Sequence, residues 1–444
     1  MTQSREDVFR QLAERVIDTV QPAEQFTLTL AGEISQFTRF NQAQVRQTGT
    51  VSDGNLRLAL ICDRRTSTYS LPFTGQLAAD WQSLHGAMLD LRAELPQLPA
   101  DPYIVHPSGN AQSREVDQGS LLAGDAIAPT LLPPVADLTF NGFYAGGLVF
   151  RAYADSAGQF HWFETPSFAL DYSLLDDRGQ AVKGTVAGRS WDQVGYLQKI
   201  TASKQQLTLL SKPVRAIPRG QYRTYFSPTA VADLMGMFSR GGVGEADLQQ
   251  GSSALGLLER GEMPLSPKFS LQENFERGGV PRFNSLGEVA PVQLPIIQSG
   301  QLVNSLVSAR SAKEYGKPSN GAELREGLRA PEVSPGQLAL ADILPKLDTG
   351  LYLSNLHYLN WSDRPRGRVT GMTRYACFWV EAGEIVAPIE NLRFDDSLYR
   401  YLGETLIELT NVQEFIPKVG TYDQRSLGGI WTPGLLVEDF RYTL

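Results

Sequence analysis

Two hydrophobic periods alternate along the first part of the chain. Residues 4–20 carry apolar side chains at helical spacing, and Ser4 with Asp7 three positions later forms a capping-box pattern, which predicts an amphipathic helix. From residue 25 onward, apolar and polar residues alternate as in half-buried strands; the apolar positions are Phe26, Leu28, Leu30, Leu56, Leu58, Leu60 and Cys62. Helical spacing returns over residues 76–95. This order predicts an antiparallel meander packed against helices.

More strands are predicted over residues 140–190. Strand pairs flank turn sequences at 155–158 and 176–179, each ending in glycine, so we predict two hairpins. A helix follows at 191–210. The proline-rich stretch 98–134 has weak periodicity and is predicted to be a long, partly irregular connection.

A break in periodicity suggests where the chain divides. Residues 211–220 hold two prolines and a glycine between periodic segments. We therefore predict an N-terminal domain at 1–213 and a C-terminal domain at 214–444.

The C-terminal half begins with a predicted strand at 222–226 and a helix at 229–239. Ser227 is the expected N-cap of that helix and Pro228 occupies its first turn. Further on, a strand is predicted at 350–361.

An aromatic-rich hairpin is the strongest local pattern of this half. Its two apolar runs, 375–380 and 385–389, are joined by a glycine-containing turn, and Pro388 cannot donate to a ladder, so the second strand is expected at an edge. A helix is predicted directly afterwards, over 395–410, from apolar residues at helical spacing; these are Leu398, Tyr401, Leu402, Leu406 and Leu409.

Composition narrows the class of protein. The 444 residues are 42% hydrophobic and 20% charged, which is ordinary for a globular protein of two or more domains. The net charge of −8 argues against direct nucleic-acid binding. Cys62 and Cys377 are the only cysteines, which fits a reducing compartment. The N-terminus lacks a signal-peptide pattern and no apolar run approaches the ~20 residues of a membrane helix, so we expect a cytoplasmic protein.

The hairpin sequence, TGMTRYACFWVEAGEIVAPI, resembles the C-terminal hairpin of the TldD/PmbA family, peptidases formerly named modulators of DNA gyrase. Two further stretches follow the family order, IQSGQLVNSLVSARSAKEYGKPSNG and PEVSPG, and the FWVEAGEI core looks most like the PmbA/TldE branch. The resemblance implies an α+β fold. Its N-terminal domain would combine a helix with an antiparallel sheet, and its C-terminal domain would be mostly antiparallel β with flanking helices.

The residues that carry the chemistry in the TldD branch are missing here. In that branch a helix at the start of the second domain bears HExxxH, whose histidines hold a metal ion. The corresponding helix at 229–239 contains neither histidine nor glutamate, and Asp233 is its only ionisable residue. No two of the four histidines, His85, His106, His161 and His357, have ligand spacing on one element. We therefore expect no metal site and no catalytic residue in this chain, with zinc confined to a TldD-type partner.

Substrate-contacting residues are expected near the hairpin. The residues proposed to line a substrate cleft are His357, Arg368, Met372, Arg374 and Tyr375. Four arginines cluster within 364–374. Two interpretations stay open: a solvated loop, or a site that binds a peptide carboxylate. The region departs from the usual family composition at His357, Met372 and Arg374, where Gly, Asp and Ser are commoner, which leaves an inherited peptide contact open.

The family resemblance implies a non-catalytic subunit of a TldD/TldE-type metallopeptidase that binds unfolded peptide. Its partner would be a TldD-type subunit, a second copy of the chain, or both. Two alternatives stay open. One is a self-sufficient hydrolase, for which Cys377 as nucleophile and His357 as base are the best available candidates. Against it, a cysteine in an apolar strand is usually an inert, small hydrophobic residue. The other is a non-enzymatic interaction protein derived from the family.

Overall fold

The computed structural model describes residues 3–443, which form two units, each built around one β-sheet. The first unit has seven strands. Six follow the order β3-β2-β1-β5-β6-β4, and the seventh, β7, pairs with the second half of β6, on the same edge on which β4 pairs with the first half. Only β4 runs parallel to its neighbour. The strands are β1 Gln25–Asn41, β2 Gln44–Cys62, β3 Arg65–Pro72, β4 Gln112–Val116, β5 Thr139–Asp155, β6 Phe160–Leu175 and β7 Ala181–Gly188.

Four helices cover this sheet. They are α1 Arg5–Thr19, α2 Leu77–Glu94, α3 Ile127–Leu131 and α4 Gln193–Leu210. The Ser4 hydroxyl accepts from the Asp7 N–H at 3.1 Å, which confirms the predicted N-cap. Phe26, Leu28 and Leu30 are buried against the helices, so the predicted alternation also holds. Residues 98–134 are largely irregular, as predicted, apart from the short elements β4 and α3.

The second unit holds a branched sheet of thirteen strands. Its main path is β11-β10-β9-β12-β20-β8-β13-β16-β17; β20 also pairs with β19 and β18, and the branch continues from β18 through β15 to β14. The strands are β8 Gly220–Phe226, β9 Leu271–Asn274, β10 Gln293–Gln298, β11 Gln301–Leu302, β12 Pro331–Val333, β13 Gly350–Leu353, β14 Asn355–Asp363, β15 Arg368–Arg374, β16 Phe378–Glu381, β17 Glu384–Pro388, β18 Arg393–Ser397, β19 Leu406–Pro417 and β20 Gly429–Tyr442.

Short helices fill the connections of the second unit. They are α5 Pro228–Gly236, α6 Glu245–Gln249, α7 Gly256–Glu259, α8 Phe275–Gly278, α9 Ala309–Tyr315 and α10 Ile343–Leu347. Helix α5 follows β8 directly, with Ser227 as N-cap, as predicted. The segment predicted as one strand at 350–361 is two strands, β13 and β14, in different branches of the sheet. With two sheets and peripheral helices, the protein has the predicted α+β fold.

The helix predicted over 395–410 is wrong. The segment forms β18, a π-helical turn at Arg400–Glu404 and the start of β19. The apolar residues of this segment are all buried, each at most 8% exposed; they are Leu398, Tyr401, Leu402, Leu406 and Leu409. Their helical spacing therefore does not indicate one buried face of a helix. Gly403, at φ −114° and ψ −109°, interrupts the helical backbone within this turn, and Leu409 then pairs with Leu435 of β20.

No helix within residues 3–443 is both long and apolar enough to cross a membrane.

Candidate functional site

Helix α5 brings one carboxylate to the end of the β14–β15 branch. The Ser227 hydroxyl donates to the Ser354 carbonyl at 2.6 Å, which ties the start of α5 to the entry of β14. Most of the α5 surface is apolar and buried in the core. Asp233 instead accepts from the Leu356 N–H at 3.0 Å. Burial raises the pKa of the Asp233 carboxyl to about 6, against the opposing effects of the Leu356 N–H and the Lys183 ammonium.

The residues around α5 do not fit a zinc ion. A catalytic zinc needs three protein ligands, mostly histidine, glutamate or cysteine, and α5 offers one carboxylate that already accepts a backbone N–H. The histidines have separate surroundings: His85 lies beside Trp81, His106 contacts Gln25, and His161 contacts Ser113. Across the part of the chain that the structure describes, no three His, Cys, Asp or Glu side chains are placed to share a metal ion.

The five predicted cleft residues lie along the β14–β15 ladder, four of them at one end and Arg368 at the other. His357 of β14 lies opposite Met372 of β15, and Arg368 and Arg374 occupy alternate positions of β15, on the same half-exposed face as Met372. The opposite face of β15 is buried. Tyr375 follows the strand with φ +64°, and the Arg374 guanidinium lies 5.2 Å from the centre of its ring. A role of these residues in substrate binding stays a prediction.

Most of the arginine cluster is already neutralised by carboxylates. The ion pairs are Arg364–Asp247 at 3.7 Å, Arg366–Asp363 at 3.8 Å and Arg368–Asp395 at 2.6 Å. The Arg374 side chain makes no ion pair or hydrogen bond with any residue of 3–443 and contacts the Tyr375 ring. Arg374 is thus the member of the cluster that no carboxylate opposes, which suits it to an incoming carboxylate.

Two strands end the branches near this site. Strand β17 is an edge strand, as predicted, but other segments occupy part of its outer side: the Lys212 ammonium donates to the Ile385 carbonyl at 3.0 Å and the Arg215 N–H to the Pro388 carbonyl at 2.8 Å. Strand β14 pairs with β15 alone among the described strands. Beyond Leu356, its outer edge has no backbone hydrogen bond to another described segment.

The exposed end of β14 was not foreseen from the sequence. Tyr358 is 74% exposed, has φ +53° and lies in a bulge between His357 and Asn360. Its ring centre is 4.0 Å from that of His357. A bulge at a tyrosine has no sequence signal, because positive φ normally favours glycine or asparagine.

Cys377 has the environment of a core residue. It is 2% exposed, within the main hydrophobic core of the second unit, and its Sγ lies 3.2 Å from the Arg374 carbonyl oxygen. Burial raises the pKa of the thiol, whereas a nucleophilic cysteine needs a lowered one. The Cys377–His357 pair therefore has no support as a catalytic pair.

Solved structures share this fold along the whole chain. TldE from Thermococcus kodakarensis is 14% identical, with a TM-score of 0.78 over 99% of this chain and 100% of that one. A protein of Thermotoga maritima MSB8, described as a candidate modulator of DNA gyrase, is 14% identical with a TM-score of 0.76, over 99% and 100% of the two chains. A similarly described protein of Bacteroides thetaiotaomicron VPI-5482 is also 14% identical, with a TM-score of 0.78 over 100% of both. At this identity the likeness establishes a TldE-type fold.

The family follows from the sequence itself. A family model described as the PmbA/TldA metallopeptidase C-terminal domain matches residues 219–443, more than half of the chain. The protein belongs to the TldD/PmbA family, as the hairpin and the motifs before it indicated. No curated protein matches the chain in sequence.

Proposed function

We propose that this protein is the PmbA/TldE-type, non-catalytic subunit of a TldD/TldE-type metallopeptidase and binds unfolded peptide. The observation that carries this proposal is helix α5. It occupies the position where the TldD branch is expected to carry HExxxH, yet its one ionisable side chain, Asp233, is engaged with the backbone of β14. Family membership and the TldE-type fold support the assignment to this branch.

The outer edge of β14 is the proposed site of peptide pairing. An extended peptide can add to a sheet edge whose N–H and C=O groups are free, and its side chains then contact residues beside that edge. Beyond Leu356 the β14 edge is open, and the adjacent face presents His357, Met372 and Arg374. In this proposal Arg374 receives a carboxylate of the peptide, either an acidic side chain or the C-terminus. The β17 edge is the weaker candidate for peptide pairing, because Lys212 and Arg215 occupy part of its outer side.

The metal-bearing partner in this proposal is a TldD-type subunit. Because the residues around α5 do not fit zinc, cleavage requires a metal site supplied by another chain. A dimer with a second copy is the alternative assembly, and a cytoplasmic location stays a prediction from composition.

The test is metal content and peptidase activity, on the purified chain alone and after mixing with a TldD-type protein from the same genome. We expect less than 0.1 equivalent of zinc per chain and no cleavage of an unfolded peptide by the chain alone. The mixture should cleave in an EDTA-sensitive manner, faster than the TldD-type protein does alone. Size-exclusion chromatography of the mixture should show a co-eluting complex.

Two results would reject this function. Stoichiometric metal or EDTA-sensitive cleavage by the chain alone would make it a peptidase in its own right. Cleavage by the mixture at the rate of the TldD-type protein alone, without a complex, would remove the subunit role.

A further inference from the structure

A cleft of about 270 Å³ lies between the two units, away from α5 and the β14–β15 ladder. One wall is formed by β6 and the end of β7. The other is formed by the end of β19, the start of β20 and the loop 418–428 between them. None of the lining residues belongs to α5, β14 or β15, so the cleft is a separate site.

The lining of this cleft is positively charged. It includes four cationic side chains and no carboxylate. Three of the four are paired with carboxylates outside the lining; the pairs are Arg189–Asp117 at 2.8 Å, Arg277–Glu332, and Arg425–Glu33 at 3.2 Å. The fourth is Lys418, which makes no side-chain hydrogen bond or ion pair with residues 3–443.

Arg425 joins the two units and uses four of its five N–H donors to do so. Its Nε donates to Glu33 and Ser35, one terminal nitrogen to Ser167 and the other to the Gly147 carbonyl at 3.0 Å. Its side chain is 5% exposed. Arg425 therefore fixes the shape of the cleft, and an incoming anion would not replace these bonds.

Lys418 is the free cation of the cleft. Its backbone N–H donates to the Gly428 carbonyl at 2.9 Å, which holds the residue at the start of the loop. Lys418 is exposed to solvent, yet the surrounding protein partly excludes water from its side chain and so lowers the pKa of the ammonium. Glu273 raises that pKa and Arg329 lowers it, so these two neighbours oppose each other.

Aromatic side chains form the remainder of the wall. Phe168 lines one side, and Phe415 packs on Trp431 with ring centres 5.3 Å apart on the other. The Arg277 guanidinium lies 3.9 Å from the Trp431 ring centre. These surfaces suit an apolar group of a ligand, whose charged end would then reach Lys418.

We propose that this cleft binds a ligand that carries one carboxylate beside an apolar group, with the Lys418 ammonium donating to the carboxylate. A single charge matches the single unpaired cation, because each lining arginine already has its own carboxylate. The volume is just below the ~300 Å³ at which pockets for drug-sized ligands begin, so the ligand has the size of an amino acid or a dipeptide. The carboxylate could belong to a free small molecule or to a peptide C-terminus.

Isothermal titration of the full chain with matched acid and amide pairs tests this proposal. The first pair is 3-phenylpropanoate and 3-phenylpropanamide, which share size and shape and differ in charge. The second is acetyl-Phe-Ala with a free or an amidated C-terminus, and it tests peptide ends as the source. We expect the acid of at least one pair to bind about ten-fold more tightly than its amide, because a hydrogen bond to a charged group is lost in the amide.

Variants of Lys418 connect the preference to the residue. Lys418→Met keeps the apolar stem of the side chain and removes the charge. It should lower the affinity for the acid about ten-fold and leave the affinity for the amide unchanged, whereas Lys418→Arg should retain the preference for the acid. Lys346→Met, an exposed lysine of α10 that does not line the cleft, is the control for losing one positive charge. Unchanged thermal unfolding would show that each variant is folded.

Three results would overturn the proposal: no binding of either acid, equal affinity for acid and amide in both pairs, or full acid preference in folded Lys418→Met. None of these depends on peptidase activity, so the outcome is separate from that of the subunit role proposed above.

Discussion

Strands β14 and β17 both end a branch of the same sheet, but they differ in what covers their outer edges. The edge of β17 is occupied by the connection between the two units, through the Lys212 ammonium and the Arg215 N–H. The edge of β14 meets α5, which contributes one bond, from the Leu356 N–H to Asp233. Sheet order alone would rank the two edges as equal, so the segments outside the sheet decide which of them is open.

The composition of each edge agrees with this difference. Beside and within β17 stand Lys212, Arg215 and Pro388, and lysine and proline are residues that protect edges against pairing. Strand β14 lacks proline and carries the exposed Tyr358 in a bulge. An open edge beside half-exposed side chains is what a peptide-binding surface requires. The comparison therefore predicts different responses to changes at the two edges.

The largest effect is expected from Asp233→Asn. Between about pH 4 and pH 6 the native state holds a proton that the unfolded state releases, because the native pKa of about 6 lies above the ordinary value of 3.8. The free energy of unfolding thus falls as pH rises through this window and stays reduced above it, by up to about 3 kcal/mol. Asparagine still accepts the Leu356 N–H and does not ionise. The variant should be more stable than the wild type at pH 8 and similar at pH 4, as measured by thermal unfolding across this range.

Asp363→Asn is the matched control for these unfolding measurements. Asp363 is the last residue of β14, the strand that Asp233 contacts, and its ion pair with Arg366 is long, at 3.8 Å. Lower stability of Asp233→Asn than of the wild type at pH 8 would contradict the prediction. It would mean that the ionised carboxylate stabilises the β14 edge.

A smaller effect is expected from reversing one charge at each edge. Arg374→Glu should slow peptide cleavage about ten-fold in a mixture with a TldD-type protein, because the proposed contact of the Arg374 guanidinium with a peptide carboxylate is replaced by charge repulsion. Arg215→Glu, next to β17, should leave the rate within about two-fold, since Arg215 already pairs with Glu381 on the surface. The measurement is the initial rate on an acidic unfolded peptide. A slower rate for Arg215→Glu alone would assign peptide pairing to β17.

Local signals explain why much of the fold could be predicted. Ser4 and Ser227 cap their helices through short-range hydrogen bonds, and the hairpin turn at 381–384 is specified by its own residues. The grouping of His357 with Met372 was reachable because both lie close to one hairpin in sequence. These features need no knowledge of distant segments.

The parts that failed depend on tertiary context. Over 395–410 the spacing of buried residues reflects contacts on all sides, and the partner of β19 is β20, which lies later in the chain. The pairing of Arg364, Arg366 and Arg368 with carboxylates, one of them as distant as Asp247, cannot be inferred from a charge cluster. The cleft that Lys418 lines joins residues more than two hundred positions apart, so no local pattern marks it.

The smallest effect is expected from Lys212→Met, which removes one protecting contact from β17. Loss of the 3.0 Å bond to the Ile385 carbonyl at an exposed site should lower the free energy of unfolding by at most about 1 kcal/mol. Lys204→Met, on the exposed face of α4, is the matched control. Cleavage by the mixture with a TldD-type protein should not increase, because the Arg215 N–H still binds the Pro388 carbonyl and Pro388 has no N–H to offer a peptide. A faster cleavage rate with Lys212→Met than with Lys204→Met would contradict this. It would mean that the Lys212 contact alone keeps peptide away from β17, and that the β17 edge could otherwise pair with peptide as the β14 edge does.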